Sequence, residues 1–195
     1  IAFSDLEGDS LINGSGVGKP HGLIGGYSFA ASTAASPSAW GKLGFTKSGS
    51  ATGFIASSSS VNGIDRLLDL QASLKPGYLG NARWLMNRTS ESVVRKLKDA
   101  DGNYVWQVST QVGNPNTLLG YPIALDDDMP NFEDGKYPIA FGDFARGYLI
   151  VDRMGTRLLR DPFTAKPYVL FYTTKRVGGG IQDFDAIKLL KFGTT

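Results

Sequence analysis

Apolar residues recur at helical spacing in the middle of the chain. In Val61–Lys75 they fall on one helical face, and a Pro-Gly pair follows as a stop signal. In Thr89–Ala100 they do so again, and Thr89 or Ser90 can cap the first turn. The pattern predicts two helices here, and a poorer stripe predicts the last turns of a helix in residues 1–12.

The rest of the chain carries apolar runs of the length typical of strands. The predicted strands are Ala82–Asn87, Asn103–Val108, Leu118–Leu125, Ile139–Phe144, Gly147–Arg153, Thr156–Asp161, Pro167–Val177 and Ala186–Phe192. Met154–Gly155 is predicted to join two strands, and the glycines at 178–180 to end the longest one. The Ser- and Ala-rich segment 28–60 predicts an irregular but ordered excursion with a short hairpin. Together the elements predict an α+β fold.

Composition excludes several classes of function. A chain of 195 residues suits one domain or two small ones, and a net charge of +2 gives no signature of polyanion binding. The absence of cysteine excludes disulfides and thiol catalysis. No apolar run approaches the ~20 residues that span a bilayer, so no membrane contact is predicted. Because the chain starts at Ile1 in mid-pattern, we expect a fragment or a processed product.

Tests for catalytic motifs identify no site. The segment Asn13–Pro20 resembles a phosphate loop, but no Ser or Thr follows Lys19 to bind magnesium. His21 is the only histidine and no nucleophile elbow occurs, so a surface imidazole is favoured over a catalytic triad. Scattered carboxylates leave glycoside hydrolysis open without forming a motif. The sequence therefore predicts no enzyme, no cofactor and no metal.

Three aspartates, Asp126–Asp128, follow the run Leu118–Leu125. Met129 and Pro130 interrupt the pattern of a calcium-binding loop. Successive side chains on an extended chain point to opposite sides, so adjacent acids do not converge on one ion. A solvated or intersubunit loop is the favoured interpretation.

Several short motifs occur in an order that a known family shares. They are "LLGYPI" at 118–123, "GDF" at 142–144, "DRMG" at 152–155 and "RVGG" at 176–179, followed by "AIKLLK". Each is weak alone, but their shared order and spacing make the match strong. The chain resembles the C-terminal two-thirds of the major capsid proteins of tailed bacteriophages that share the HK97 fold. The resemblance extends over about Leu11–Phe192.

The resemblance implies two domains. An axial domain with a mixed sheet flanked by helices would cover residues 22–146, with 186–192 expected to join it. A peripheral domain with long β-strands would combine residues 1–21 and 147–185. The N-terminal arm, the extended loop and most of the spine helix are expected to be absent from this chain.

The resemblance also implies a role for the aspartates. In the family, the strand that holds "LLGYPI" ends in a loop near the symmetry axis of a hexamer or pentamer. The implied intersubunit axial loop contains Asp126, Asp127, Asp128, Met129, Asn131, Phe132 and Lys136. Because like charges around an axis repel, we expect a cation such as Lys136, or an arginine of a neighbour, as their partner.

The implied function is structural. Copies would assemble through hexamers and pentamers into an icosahedral shell that encloses double-stranded DNA without sequence specificity. Portal, scaffold or maturation protease would be further partners, and the product would be a virion assembled in the bacterial cytoplasm. The matching positions for a lysine–asparagine crosslink assisted by glutamate hold Pro167 and Thr174, so no autocatalytic crosslink is implied.

Two rival functions stay open. An encapsulin-type nanocompartment has the same fold and holds a protein cargo. A carbohydrate-active or lectin-like β domain would expose Trp40, Trp84 and Trp106 around a cleft. The capsid interpretation instead predicts Trp84 and Trp106 mostly buried.

Overall fold

A computed structural model describes residues 2–33, 39–51, 53–54, 63–98, 102–104, 106 and 117–193. The chain divides into two compact units. We call Ile1–Gly26 with Leu149–Gly180 the ribbon unit, and Tyr27–Tyr148 with Ile181–Thr195 the sheet unit. Helices and strands are both present, which confirms the predicted α+β class.

In the described part of the chain, the sheet unit is built on a mixed sheet of seven strands. They are β1 (Phe29–Ala31), β2 (Leu43–Lys47), β3 (Arg83–Met86), β4 (Thr117–Leu118), β5 (Tyr121–Leu125), β6 (Ile139–Gly142) and β9 (Ile187–Lys191). Their spatial order is β1-β2-β9-β6-β3-β5-β4. The last strand of the chain thus lies between β2, to which it is parallel, and β6, to which it is antiparallel. Its residues 187–190 are buried, as expected for a strand covered on both faces.

The prediction of a short hairpin within residues 28–60 is wrong for β1 and β2, the two strands that the structure describes there. β1 and β2 pair in parallel, with Phe29 beside Leu43. A parallel pair requires a crossover connection that returns the chain to the same end of the sheet, and a tight turn cannot supply one. The predicted strand Asn103–Val108 lies largely outside the described residues.

The two predicted central helices are confirmed as α2 (Gly63–Ala72) and α3 (Arg88–Arg95). α2 packs against β2 and β9 and buries Leu67 and Leu70. The cap of α3 is Asn87 and not Thr89 or Ser90, because the Asn87 side chain accepts a hydrogen bond of 2.6 Å from the Ser90 backbone N–H.

Trp84 of β3 forms the centre of the hydrophobic core. Its side chain is fully buried. The centroid of its ring lies 4.3 Å from the ring centroid of Phe141 on the neighbouring strand β6. The indole Nε1 donates a hydrogen bond of 2.9 Å to the Leu118 carbonyl. Apolar packing and a satisfied polar atom therefore fix this tryptophan in one place.

The predicted strand Leu118–Leu125 is divided in two by a tight turn. Leu119 and Gly120 have φ angles of 50° and 85°, and β4 and β5 pair antiparallel on either side of them. Positive φ at both central residues matches the right-handed twist of a hairpin, and glycine adopts it without steric cost. The residues of Leu118–Leu125 are mostly apolar, so the sequence pattern does not predict this turn.

The predicted strand Ile139–Phe144 ends earlier than expected. Asp143 accepts hydrogen bonds from the backbone N–H groups of Ala145 and Arg146, at 3.1 and 3.3 Å. This N-cap starts the four-residue helix α4 (Phe144–Gly147). The "GDF" motif is therefore a strand-to-helix junction.

The ribbon unit contains helix α1 (Ala2–Asn13) and the strands β7 (Tyr148–Asp161) and β8 (Leu170–Ile181), except for the end residues Tyr148 and Ile181, which belong to the sheet unit. The helix expected near the start is confirmed. Two predicted breaks are wrong: β7 runs through Met154–Gly155, and β8 continues through the glycines at 178–180. None of these glycines adopts a positive φ, so each keeps the extended backbone that a strand requires.

His21 belongs to the loop that follows α1. A Cβ atom on Gly16 would lie 2.3 Å from the His21 ring, and one on Gly26 would lie 2.1 Å from it. The His21 backbone N–H donates a hydrogen bond of 2.9 Å to the Gly179 carbonyl. The imidazole is therefore partly buried between two glycines, and the expectation of a plain surface histidine is wrong.

Candidate intersubunit surfaces

The three aspartates form a turn directly after β5. The Asp126 backbone N–H donates to the Met86 carbonyl at 3.1 Å, and the Asp126 carboxylate accepts from the Asp128 backbone N–H at 3.0 Å. The Met129 backbone N–H donates to the Asp126 carbonyl at 3.3 Å. The carboxylate of Asp126 is thus used to close the turn, as aspartate often does in loops.

Asn87 anchors the next part of this loop. Its Nδ2 donates to the Met129 carbonyl at 3.0 Å and to Asn131 Oδ1 at 2.8 Å. Met129 is only 2% exposed. One buried side chain therefore caps α3 and holds the loop, a role that sequence reasoning missed. The available signal was an asparagine directly before a polar helical start.

The far end of the loop is held by Phe192. Phe132 stacks on Phe192 with 4.3 Å between ring centroids. The Gly135 backbone N–H donates to the Phe192 carbonyl at 2.8 Å, and the Phe192 N–H donates to the Lys136 carbonyl at 2.9 Å. We call residues 126–136 the acidic loop. The structure fixes its backbone at both ends and leaves Asp127, Glu133 and Lys136 exposed.

The charged groups of the acidic loop do not form a metal site. Among the described residues, no group of three or more His, Cys, Asp or Glu side chains is placed to hold an ion. Within the same residues, Lys136 makes no ion pair with Asp126 or Asp127. Lys136 is therefore not the partner of Asp126 or Asp127 inside one chain.

The ribbon unit exposes many large apolar side chains. They are Leu149, Ile150, Val151, Leu158, Leu159, Phe163, Tyr168, Val169, Leu170, Phe171 and Tyr172, and each is between 41% and 80% exposed. Single exposed leucines are common on protein surfaces, but a contiguous stretch of this kind marks an interaction site. Sequence reasoning identified these residues as strands and missed that they lie at the surface.

The two faces of the β7–β8 ribbon differ. Lys175 Nζ lies 2.7 Å from Glu7 of α1 and 3.7 Å from Asp152 of β7. α1 therefore lies on the face that carries Asp152 and Lys175. Since side chains alternate along a strand, the next residues, Arg153 and Arg176, point to the opposite face. That face is exposed, whereas Lys175 is partly covered.

A charged cluster lies in the sheet unit where β9 begins. Lys188 is 1% exposed, and its Nζ lies 3.4 Å from Asp185 Oδ1. The other oxygen of Asp185 lies 2.5 Å from Lys75 Nζ. Burial lowers the pKa of Lys188, and the hydrogen bond from Lys75 lowers the pKa of Asp185. A side chain at Gly44 on β2 would come within 2.9 Å of Lys188 Nζ, so this glycine leaves room for the lysine.

The three tryptophans do not surround one cleft. Trp40 is fully exposed and Trp84 is fully buried. Trp106 is mostly buried against the core, with the Arg95 guanidinium 5.1 Å from its ring centroid. Burial of Trp84 and the packing of the mostly buried Trp106 against the core confirm that part of the capsid prediction. The lectin-like alternative loses its structural basis.

The model of the phage capsid family matches residues 1–192. The chain belongs to the phage capsid family. Members of this family are structural proteins of phage particles. The predicted resemblance to the major capsid proteins of tailed bacteriophages is therefore confirmed. A comparison with curated protein sequences gives no match. No helix among the described residues is long and apolar enough to cross a membrane.

Solved structures give the same fold for this capsid-family chain. It is similar to the capsid of an empty GTA particle computed with C5 symmetry, with 45% identity and a TM-score of 0.86. It is equally similar to the capsid of a native GTA particle, again with 45% identity and a TM-score of 0.86. The matches cover 98% of this chain, which spans 63% and 62% of those two capsid chains. They confirm the predicted phage-type capsid fold and do not favour the nanocompartment alternative.

Proposed function

We propose that this chain is part of a major capsid protein that assembles through hexamers and pentamers into an icosahedral shell around double-stranded DNA. Membership in the phage capsid family and the similarity to two GTA particle capsids support this function. The proposed role is structural and requires no catalysis and no cofactor. Portal, scaffold and maturation protease are the proposed further partners, and the bacterial cytoplasm is the proposed place of assembly.

The exposed apolar ribbon is the observation that carries this proposal. A single copy leaves Leu159 and Tyr172 more than 60% exposed, which costs free energy in water. Contact with another copy removes that surface from solvent, and many such contacts add up when copies tile a closed shell. The ribbon is therefore an assembly surface.

Polar substitutions on the ribbon should prevent assembly without unfolding the chain. In full-length protein, we expect Leu159→Ser with Tyr172→Ser to change the free energy of unfolding by less than about 0.5 kcal/mol, because both sites are exposed. Loss of buried contacts worth about 2 kcal/mol or more each should weaken subunit association roughly 30-fold per site. Sedimentation velocity measures the fraction assembled.

Leu68→Ser is the matched control, because Leu68 is an exposed leucine on α2 of the sheet unit. It should assemble like the wild type. Normal shells from the double variant would exclude the ribbon as an assembly surface.

We further propose that residues 22–146 with 186–192 form the axial domain, and that residues 1–21 with 147–185 form the peripheral domain. The acidic loop is the proposed contact around the axis of each capsomer. Its fixed backbone supports this role, because an ordered loop loses little conformational entropy on binding. Its unpaired Lys136 is available to the aspartates of a neighbouring copy.

A cysteine in the acidic loop tests its position. The 195 residues contain no cysteine, so Asp127→Cys introduces one thiol into this part of the protein. We expect mild oxidation of assembled shells to link neighbouring copies through position 127, giving dimers on non-reducing gels. Glu133→Cys is a second exposed site in the same loop. If oxidised shells yield only monomers at both sites, the loop lies away from the axis.

A further inference from the structure

The face of the ribbon opposite α1 carries three arginines. Arg153 and Arg157 are four residues apart on β7, and residues an even number apart on a strand share a face. Arg153 and Arg176 line one shallow depression at the ribbon edge, which Lys175 and Gly18 of the loop after α1 also border. We call this surface the arginine face.

The three arginines lack carboxylate partners among the described residues. Other arginines have them: Arg95 pairs with Glu91 at 2.6 Å, and Arg66 pairs with Asp69 at 3.2 Å. Among the described residues, Arg153, Arg157 and Arg176 make no ion pair and no side-chain hydrogen bond. Three guanidinium groups on one face are thus available to a second molecule.

The surroundings of these arginines are apolar. Leu149, Val151, Leu159, Leu170 and Tyr172 occupy the same face by strand alternation, and all are exposed. Arginine among aromatic and aliphatic side chains is the composition of a protein interface core. Guanidinium groups bind carboxylates in a planar, bidentate way and are less strongly hydrated than lysine. The apolar setting favours a protein partner over the phosphates of nucleic acid.

Charge distribution identifies this partner as a second copy. Residues 148–181 hold six Lys and Arg and two Asp, a net charge of +4. The acidic loop, residues 126–136, holds five Asp and Glu and one Lys, a net charge of −4. One copy therefore offers both a basic ribbon and an acidic loop to its neighbours.

We propose that Arg153, Arg157 and Arg176 bind carboxylates of a second copy in the assembled shell. This inference rests on the proposed shell function and specifies the chemistry of one of its contacts. The apolar side chains of the face supply the buried area, and the arginines fix which partner segment is accepted.

Glutamine substitutions in full-length protein test the contact. The triple variant Arg153→Gln, Arg157→Gln and Arg176→Gln should raise the protein concentration needed for shell formation at least tenfold. Its assembly should also depend less on salt than that of the wild type. Arg160→Gln is the matched control, because Arg160 is exposed on the same strand and alternates to the other face. Thermal unfolding of unassembled subunits checks that all variants fold.

A crosslink identifies the partner group. In the variant Arg176→Lys, carbodiimide couples the Lys amine to a nearby carboxylate to form an amide. The carbodiimide takes up the lost water and becomes a urea. Shells assembled from mixed light and nitrogen-15 subunits should give crosslinked peptides that join position 176 of one chain to a carboxylate of the other, with one chain light and one heavy. Arg160→Lys should give no such crosslink through position 160.

The outcomes separate this inference from the proposed function. If wild type and triple variant form shells equally well, and Arg176→Lys gives no mixed crosslink through position 176, the inference is wrong and the shell function stands. If the triple variant assembles normally but loses retention of duplex DNA, the arginines bind phosphate and the inference is also wrong. If the wild type forms no shell under any condition, both the proposed shell function and the arginine contact are wrong.

Discussion

Replacing Trp84 by alanine is expected to destabilise the sheet unit by about 3–5 kcal/mol. The side chain is fully buried against Phe141 at the centre of the core, so its removal leaves a cavity between β3 and β6. The Leu118 carbonyl also loses its indole donor at a buried site. Chemical denaturation of unassembled subunits measures the change.

Trp40→Ala is the matched control for this experiment. The same residue type is deleted from a fully exposed position, so the free energy of unfolding should change by less than about 0.5 kcal/mol. Equal effects of the two substitutions would contradict the assignment of Trp84 to the core.

Removal of Asp185 should be the second most damaging change. Asp185→Ala removes the carboxylate that lies 3.4 Å from the buried Lys188 ammonium, and we expect a loss of about 3 kcal/mol. Lys188→Met should cost less than about 1 kcal/mol, since it replaces the buried charge with an apolar chain of similar length and Asp185 keeps Lys75. If Lys188→Met proves the more harmful of the two, the cluster is held together by something other than this ion pair.

The pH dependence of the free energy of unfolding follows from the same cluster. The pKa of Lys188 is lowered from 10.5 in the fold, so the unfolded chain binds this proton more tightly. Stability therefore rises with pH between the lowered pKa and 10.5, and Lys188→Met should remove this rise. The lowered pKa of Asp185 stabilises the fold above pH 3.8, and that contribution is lost as pH falls through the lowered value.

The sequence pattern predicted most elements of the fold but misplaced several of their ends. Helical spacing located α2 and α3 because their buried leucines and valines recur on one face. It could not reveal the turn between β4 and β5, because Leu119 occupies a left-handed position that sequence alone assigns to glycine or asparagine. The opposite error occurs at Gly155. The glycine there predicts a break between two strands, but its backbone stays extended inside β7.

The candidate surfaces were harder to predict because they depend on distant residues. The acidic loop is fixed by Asn87 and Phe192, which lie well before and well after it in the chain. Periodicity also cannot distinguish a buried apolar strand from an exposed one, so the sequence predicts the strands of the ribbon but not their exposure. The resemblance to capsid proteins supplied the function that the residue patterns alone did not.

Negative-stain electron microscopy of the full-length protein tests the shell function most directly. The protein is expressed alone and together with the neighbouring genes, purified and imaged. The proposed function predicts closed, uniform icosahedral particles, and particles that retain duplex DNA would support the proposed contents. Subunits that remain monomeric under every condition would contradict it.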